Sequence, residues 1–489
     1  MITPSDWIAL ASAFLGLGGL VGGGELLRRC GWQPATTRRL VHAGVGLFVA
    51  ATPLVFTAPT PVYVLAGAFV LINAGAKTRR LWPGIHAARP ESWGTVAMPL
   101  ALVPTLAVTW SVDPGRLYIL QAAFLVLALA DPIAAWVGAS VGRREWVPNA
   151  TLVGSGAFAG GAFMLSAGVL HLGAEWGPLR AVGGAVAIAV VAAAVEAMGR
   201  DGWDNLFVVL AVLLVLVPLH ETWVSVGALG LSAAAGIGIG GAAYIARALD
   251  PRGAVAGGLF AFSLVGLGGW AWAVPGFVFF VFSSMLSVVA GDPDQDERDG
   301  GREGRTLRQV MANGGVAWGL LFVFGVLPGD MSFFRAACYV GFLGALAAAA
   351  ADTWATELGV WTAKRPWSLR TGARVPAGES GAVSLGGTVA AAFGAGSVAG
   401  VTVLPMELPV QTSWSLFVVV IGAGLVGMMV DSLVGAFLQA RYRDPASGRL
   451  VETAVDQSVP LVRGWRWVNN EFVNLLGTTA GALAALLLW

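Results

Sequence analysis

Two aspartates lie in apolar runs, where an ionised group is most costly. The first stands in Ala130-Asp131-Pro132-Ile133-Ala134-Ala135-Trp136-Val137-Gly138 and the second in Ala351-Asp352-Thr353-Trp354-Ala355-Thr356-Glu357-Leu358-Gly359. Both segments fit A-D-x-x-A-x-x-(apolar)-G. A carboxylate in hydrocarbon costs several kcal/mol or more, so it marks a site by default. The same setting in each half of the chain points to two related sites in one polypeptide.

The polar residues around each aspartate define the chemistry on offer. In the second half, Glu357 follows Asp352 on the same helix, about 140° around its axis, so the two do not chelate one ion alone. Asp431, from another span, supplies a second carboxylate. Arg305, Arg308, Arg370, Thr371 and Arg374 lie in loops, and Asn313, Gln439, Asn470 and Asn474 add neutral donors and acceptors. Gly378-Glu379-Ser380-Gly381 is a small-residue turn. In the first half, Arg38-Arg39 precede His42, and Glu91 opens Glu91-Ser92-Trp93-Gly94-Thr95. Arg143-Arg144, Gly154-Ser155, Glu196 and Asp204-Asn205 follow.

Carboxylates, arginines and Gly-Ser turns together suit a magnesium polyphosphate. Mg²⁺ takes one or two carboxylates plus phosphate oxygens. Arginine grips phosphate with two parallel hydrogen bonds, and glycines let backbone N–H groups approach an anion. Asp131, Asp352, Glu357 and Asp431 are the expected catalytic carboxylates, with Asp131, Asp352 and Asp431 as metal ligands. Arg143, Arg144, Ser155, Arg305, Arg308, Asn313, Arg370, Thr371, Gly378 and Ser380 are the expected phosphate contacts. His42 reads equally as a catalytic group or a helix-start partner, and Asn313 and Asn474 equally as hydrogen bonds that stitch helices. The arginine loops read equally as topology signals, and Arg441 to Arg449 favour that reading over function. No Walker A sequence and no G-x-G-x-x-G are present, which excludes the familiar soluble nucleotide folds.

These residues must be held by membrane helices. The 489-residue chain is 56% hydrophobic and 12% charged, with mean hydropathy +0.74. Runs long enough to cross a bilayer recur from end to end. The first, near Trp7 to Leu27, lacks a basic leader region and reads as a retained span. Cys30 and Cys338 fit no metal or redox spacing, and no disulfide is expected. The net charge of +1 gives no pointer to nucleic acid, and no such partner is expected.

Basic residues cluster in alternate loops. Alternating the two sets of loops gives about 16 spans with both termini outside. Of the 29 Lys and Arg residues, all but Arg116, Arg180 and Arg335 then fall inside, which is the positive-inside pattern. The expected fold is an all-α, polytopic transmembrane helical protein in two parallel-related halves, 1–236 and 237–489. Asp131 and Asp352 sit on spans running the same way, toward the cytoplasmic end.

Two family resemblances follow from these motifs. Residues 35–220 resemble the phytol kinase family of polytopic membrane enzymes, related to dolichol kinases and CTP-using lipid kinases. The matching elements are R-R-x-x-H at Arg38 to His42, E-S-x-G-T at Glu91 to Thr95, A-D-x-x-A-x-x-x-G at Asp131, the turn at Gly154-Ser155, and Glu196 with Asp204-Asn205. Where that family carries Lys-Ser followed by Glu-Gly-Ser, this chain has Ala150-Thr151-Leu152-Val153-Gly154-Ser155. Arg143 or Arg144 is expected to replace the lost charge. Residues 235–489 resemble the integral membrane family that includes the plant phytyl-phosphate kinases. Here the matches are Arg305 to Gly315, Asp352 to Gly359, Val375 to Gly387, Asp431 to Gln439, and Asn469-Asn470 with Asn474. Gly378 to Ala382 replaces that family's usual Gly-Thr-Asn-Gly-Gly.

The resemblances imply a prenyl-alcohol kinase joined to a prenyl-monophosphate kinase. The acceptors would be an isoprenoid alcohol and its monophosphate in the bilayer. The phosphate donor would be a nucleoside triphosphate, CTP favoured, with Mg²⁺. The alternatives from the same features are a lipid-phosphate transporter or flippase, and a CDP-lipid-forming cytidylyltransferase. A carrier needs polar residues through the whole membrane depth, whereas here they crowd toward one face. The topology is checked by cysteines placed in 291–308 and 364–374. Both should react only with membrane-permeant reagents on intact cells, and labelling by an impermeant reagent would overturn the sidedness.

Overall fold

A computed structural model describes residues 3–79, 91–142, 144–290, 304–362, 365–377, 379–404, 414–443, 450–452 and 459–489. Arg143 and Gly378 lie outside the described residues. The chain divides into two compact units, Met1–Ala233 and Ala234–Trp489.

Sixteen helices run through the described residues, and 12 of them are long and apolar enough to span a membrane. The first eight are α1 (Pro4–Arg29), α2 (Pro34–Val55), α3 (Pro59–Thr78), α4 (Gly94–Val108), α5 (Pro114–Val141), α6 (Leu152–Gly173), α7 (Pro178–Met198) and α8 (Asp204–His220). The next eight are α9 (Val226–Ile245), α10 (Pro251–Gly268), α11 (Trp270–Ala290), α12 (Leu307–Val326), α13 (Ser332–Thr362), α14 (Leu385–Val403), α15 (Trp414–Phe437) and α16 (Asn470–Leu488). Three small antiparallel sheets interrupt the helices. They are β1 (Glu145–Val147) with β2 (Ala150–Thr151), β3 (Trp367–Ser368) with β4 (Ala382–Val383), and β5 (Arg441–Arg443) between β6 (Leu450–Val451) and β7 (Leu461–Arg463).

In each unit one helix forms the centre. Of the candidate spans, α5 is the most buried in the first unit and α13 in the second. Helix α5 packs on α2, α6 and α8, and α13 on α11, α12, α14, α15 and α16. Each central helix carries a buried tyrosine near its start, Tyr118 or Tyr339. Each carries its aspartate about three turns from its end. A short hairpin then leads into the next helix, which begins on a hydroxyl cap. Thr151 Oγ1 accepts from Gly154 N at 3.1 Å, and Ser384 Oγ accepts from Gly387 N at 3.0 Å.

The nonapeptide spacing has a packing cause. A Cβ on Gly154 would lie 3.3 Å from the Ala134 carbonyl and 3.3 Å from Gly138 Cα. A Cβ on Gly387 would lie 3.3 Å from the Ala355 carbonyl and 3.6 Å from Gly359 Cα. The Ala and Gly of A-D-x-x-A-x-x-x-G are therefore the face on which the following helix docks. Lipid supplies little apolar driving force between helices, so close backbone approach over small residues does the work. The run Ala347 to Ala351 serves the same purpose on α13. A Cβ on Gly394 of α14 would come within 2.7 Å of the Ala350 carbonyl.

The three arginines outside the positive-inside pattern have a structural use. Arg116 donates to the Val108 carbonyl at 2.8 Å, and Arg335 to those of Phe324 and Leu327 at 2.8 and 3.0 Å. Arg180 donates to the Leu219 carbonyl. Each satisfies carbonyls left open at a helix C-terminus. Cys30 and Cys338 are both free thiols.

Glycine-to-alanine changes separate packing from propensity. Alanine at an open helical position such as Gly319, with no atom within 4 Å of an added Cβ, should be neutral or stabilise by up to about 1 kcal/mol. Gly394→Ala should instead destabilise by about 1–3 kcal/mol through overpacking. Thermal midpoints in detergent report both, and equal midpoints would contradict the helix contact.

Candidate functional site

In the second unit, Asp352 of α13 and Asp431 of α15 bring their carboxyl groups into hydrogen-bonding range of each other. Two half-buried carboxyls so close cannot both stay ionised without a proton or a cation between them. Asp431 sits on Gly477 of α16, where an added Cβ would lie 3.4 Å from Asp431 Oδ2. With its amide nitrogen turned to the carboxylate, Asn474 donates to Asp431 Oδ2 at 3.1 Å and to the Asn470 carbonyl at 3.2 Å. Asn474 also lies 3.2 Å from Asn313 Oδ1 on α12. The centre thus joins four helices through Asp352, Asp431, Asn474 and Asn313.

A second polar chain runs beside it. Ser380 donates to Gln439 Oε1 at 2.5 Å, and Gln439 Nε2 reaches Asn470 Oδ1 at 3.4 Å. Gln439 is 1% exposed. Its neighbour Gly381, at φ +74°, lets the β3–β4 segment touch the Ala436 backbone, where any side chain would collide. Ser380 is thereby pinned to the end of α15.

Glu357 lies apart from the carboxyl pair, as its helical angle requires, and faces Arg305. Burial pushes the Arg305 guanidinium down, and the Glu357 charge opposes that shift. Arg305 is fixed by its backbone, pairing with Ala248 and Asp250 at the start of α10. Arg308 is exposed on the first turn of α12, and Thr371 is exposed in a turn where its hydroxyl accepts from Ala373 N.

The first unit builds a related centre with different residues. Pro132 has no N–H to give the carbonyls one turn back, and α5 widens there into a π turn over Val126–Ala130. The Leu127 carbonyl accepts instead from His42 Nε2 at 3.0 Å. A carbonyl cannot donate, so His42 carries its proton on Nε2. The same nitrogen stands 3.6 Å from Asp131 Oδ2. His42 is therefore a partner of the Asp131 centre from within α2, not a helix-start residue. Glu196 of α7 lies within electrostatic range of Asp131 and Asp204, and its Oε2 is buried with no hydrogen-bond partner among the described residues. Glu196 stands to Asp131 as Asp431 stands to Asp352, each two helices after the central one.

Several expected contacts have structural partners. Arg38 Nη2 donates to Ser92 Oγ at 2.8 Å, and Asn205 Nδ2 donates to the Gly94 carbonyl at 2.9 Å. The E-S-x-G-T element is thus tied to α2 and α8, while Glu91 itself is exposed. Ser155 accepts from Trp146 Nε1 at 3.0 Å, and Arg144 is exposed on the hairpin. Among the described residues, no group of three or more His, Cys, Asp and Glu side chains is placed to hold a metal by itself. Any ion here would complete its shell with water or substrate oxygens.

The sequence reading missed one cluster. Arg441 and Arg463, on adjacent strands of the C-terminal sheet, stand directly opposite each other. Arg441 is 6% exposed and pairs with Glu452 at 3.0 Å, so it is no mere topology signal. Burial, together with the charges of Arg370 and Arg441, pushes the Arg463 guanidinium down, and Glu379 opposes it. The only signal available was the alternation Arg441-Tyr442-Arg443, which marks a strand in a loop that is otherwise simply basic.

Fold and site together define a polytopic helical membrane protein with a carboxylate centre in each of two units. The chain belongs to the integral membrane protein family DUF92, matched over residues 234–482. It is 31% identical over 216 residues to Protein PGR of Arabidopsis thaliana, covering 40% of this chain and 74% of that protein. It is 31% identical over 216 residues to the phytol kinase of Synechocystis, covering 41% of this chain and 87% of that enzyme. An uncharacterized membrane protein of Methanocaldococcus jannaschii is 26% identical over 251 residues, half of this chain and 87% of its own length. No solved structure matches the chain.

The Ser380–Gln439–Asn470 chain can be tested alone. Gln439→Leu keeps similar bulk and strips the partners from Ser380 and Asn470. It should cost about 1–3 kcal/mol, read as a lower denaturation midpoint in detergent. An unchanged midpoint would mean that the chain is not formed.

Proposed function

We propose that the chain is a prenol kinase fused to a prenyl-monophosphate kinase. The first unit phosphorylates an isoprenoid alcohol such as phytol, and the second adds the next phosphate to give the diphosphate. The phytol kinase of Synechocystis supports the substrate class of this reading. The observation that carries the division of labour is a histidine. All four histidines of the chain lie in the first half, and His42 stands beside Asp131, whereas the Asp352–Asp431 centre has none.

The two acceptors differ in the same way. An alcohol must lose a proton as it attacks, so the first step needs a base. The alcohol oxygen forms a bond to the terminal phosphorus of the nucleoside triphosphate while Asp131 Oδ2 takes the proton. The bond from that phosphorus to the bridging oxygen breaks, and the nucleoside diphosphate leaves with the electron pair. His42 holds Asp131 in place and stabilises its charge. A monophosphate presents an oxyanion that needs no base. Its oxygen attacks directly, and the second unit has only to hold charge and line up the reactants.

Both centres suit magnesium by donor type, offering only hard oxygens. Asp131 with the orphaned Glu196 Oε2 would hold the ion in one unit, and Asp352 with Asp431 in the other. The ion would supply neutralisation of the phosphate oxygens. Arg305 and Arg370, on loops, and Arg308, on the first turn of α12, meet the triphosphate in this reading, and CTP is the favoured donor. Both centres open to the cytoplasmic face, and the prenyl tail remains in lipid.

Purified protein with labelled CTP or ATP and a panel of alcohols and monophosphates tests this reading. Asp131→Asn should slow alcohol phosphorylation about 100-fold or more and spare use of the monophosphate. Asp352→Asn should let monophosphate accumulate from the alcohol. Loss of both steps in either folded variant would replace two sites with one shared site.

A further inference from the structure

The C-terminal sheet of the second unit carries a pair of arginines that its own geometry disfavours. Arg441 and Arg463 are direct partners on antiparallel β5 and β7. Residues so paired project from the same face with Cβ atoms about 5 Å apart, and like charges there repel. Among the described residues, neither guanidinium is fully satisfied. The Nε atoms of both Arg441 and Arg463 are buried and have no hydrogen-bond partner. The Arg441 side chain is only 7% exposed, which makes an unmet N–H costly. Its counter-ion, Glu452, lies 3.0 Å from Nη2, but that nitrogen too makes no hydrogen bond among the described residues.

The surroundings add positive charge. Arg370, exposed beside β3, follows Leu369, whose N–H donates to the Gly381 carbonyl at 3.0 Å where Gly381 rests on the Ala436 backbone, so Arg370 stands at the same end of α15 as β5 and its charge acts on Arg463. Glu379 opposes that charge at Arg463, so among the described residues three arginines stand with two carboxylates, Glu379 and Glu452. The cluster lies at the end of α15, the helix that carries Asp431: β5 follows that helix directly, Trp465 N donates to the Leu438 carbonyl at 3.0 Å and Ala440 N to the Val468 carbonyl at 2.9 Å.

We propose that Arg370, Arg441 and Arg463 form an anion site that takes a phosphate group next to the Asp352–Asp431 centre. Planar guanidinium forks on two strands and a loop suit the tetrahedral oxygens of a phosphate. The ligand's phosphate comes either from a nucleoside triphosphate in solution or from a prenyl monophosphate at the membrane surface. That choice rests on the kinase reading, whereas the anion site does not.

The test uses full-length protein in phosphatidylcholine nanodiscs with inorganic tripolyphosphate as the calorimetric probe. Wild type should bind it, more weakly as salt rises. Arg463→Gln and Arg370→Gln should each weaken binding at least about tenfold, and Arg463→Lys should recover part of the loss. Both positions avoid the buried Arg441–Glu452 pair, and thermal midpoints confirm folding. Wild-type affinity in both glutamine variants, or no binding by wild type, would overturn the site. Competition by CTP, and separately by prenyl monophosphate placed in the nanodisc, then tells which source fills it. Arginine-dependent tripolyphosphate binding by a protein that transfers no phosphate would sink the kinase reading and keep the site. Unchanged transfer kinetics with unchanged binding would do the reverse.

Discussion

Two carboxyl groups within hydrogen-bonding range, inside a helix bundle that lies in lipid, are unstable as a pair of anions. The rest of the second unit follows from that constraint. Asp352 and Asp431 need a proton or cation between them, neutral amides around them and positive charge within reach. Asn313 and Asn474 provide the amides, and the arginines of the loops and the C-terminal sheet provide the charge. The arrangement holds the carboxyls where hydrophobic side chains would give an easier fold, which is the usual mark of a site.

The central helices show how such a site is kept rigid. Each is anchored at its start by a buried aromatic ring. Tyr118 packs edge-on against Trp176, and Tyr339 packs edge-on against Trp272. Each presents Ala and Gly near its end to the following helix. The aspartate stands between a well-packed anchor and a close backbone contact, so its carboxyl has little freedom to move. The two units use this scheme with different partners. The first adds a π turn at Pro132 and gives the freed carbonyl to His42, and the second replaces that histidine with amides.

Most of the architecture was legible in the sequence because lipid leaves so few options. Apolar runs and the alternation of basic loops yield about 16 spans, and the described residues form sixteen helices, of which 12 are long and apolar enough to cross a membrane. The motif A-D-x-x-A-x-x-x-G was legible as a repeat, although its Ala and Gly positions are explained by helix docking and not by chemistry. Helical angle alone separated Glu357 from Asp352. Contacts between distant segments were not legible. Glu196 and Asp131 lie in different helices with nothing local to link them, and neither do Ser380 and Gln439 announce each other. Arg441 and Arg463 were hidden because a basic loop inside the membrane's positive side looks the same whether its arginines face water or each other. His42 was undecidable from sequence because its partner, the Leu127 carbonyl, is created only by the π turn.

The proposed succession of two phosphoryl transfers, on which the two-centre reading depends, is tested most directly by where label enters the product. Phytol and a nucleoside triphosphate labelled at its terminal phosphorus are given to the purified wild-type protein, and the prenyl diphosphate is degraded one phosphate at a time. Two successive transfers place label in both phosphates, with two nucleoside diphosphates released for each diphosphate formed. Label confined to the terminal phosphate, with one nucleoside monophosphate released, would mean a single pyrophosphoryl transfer and would contradict the two-centre reading.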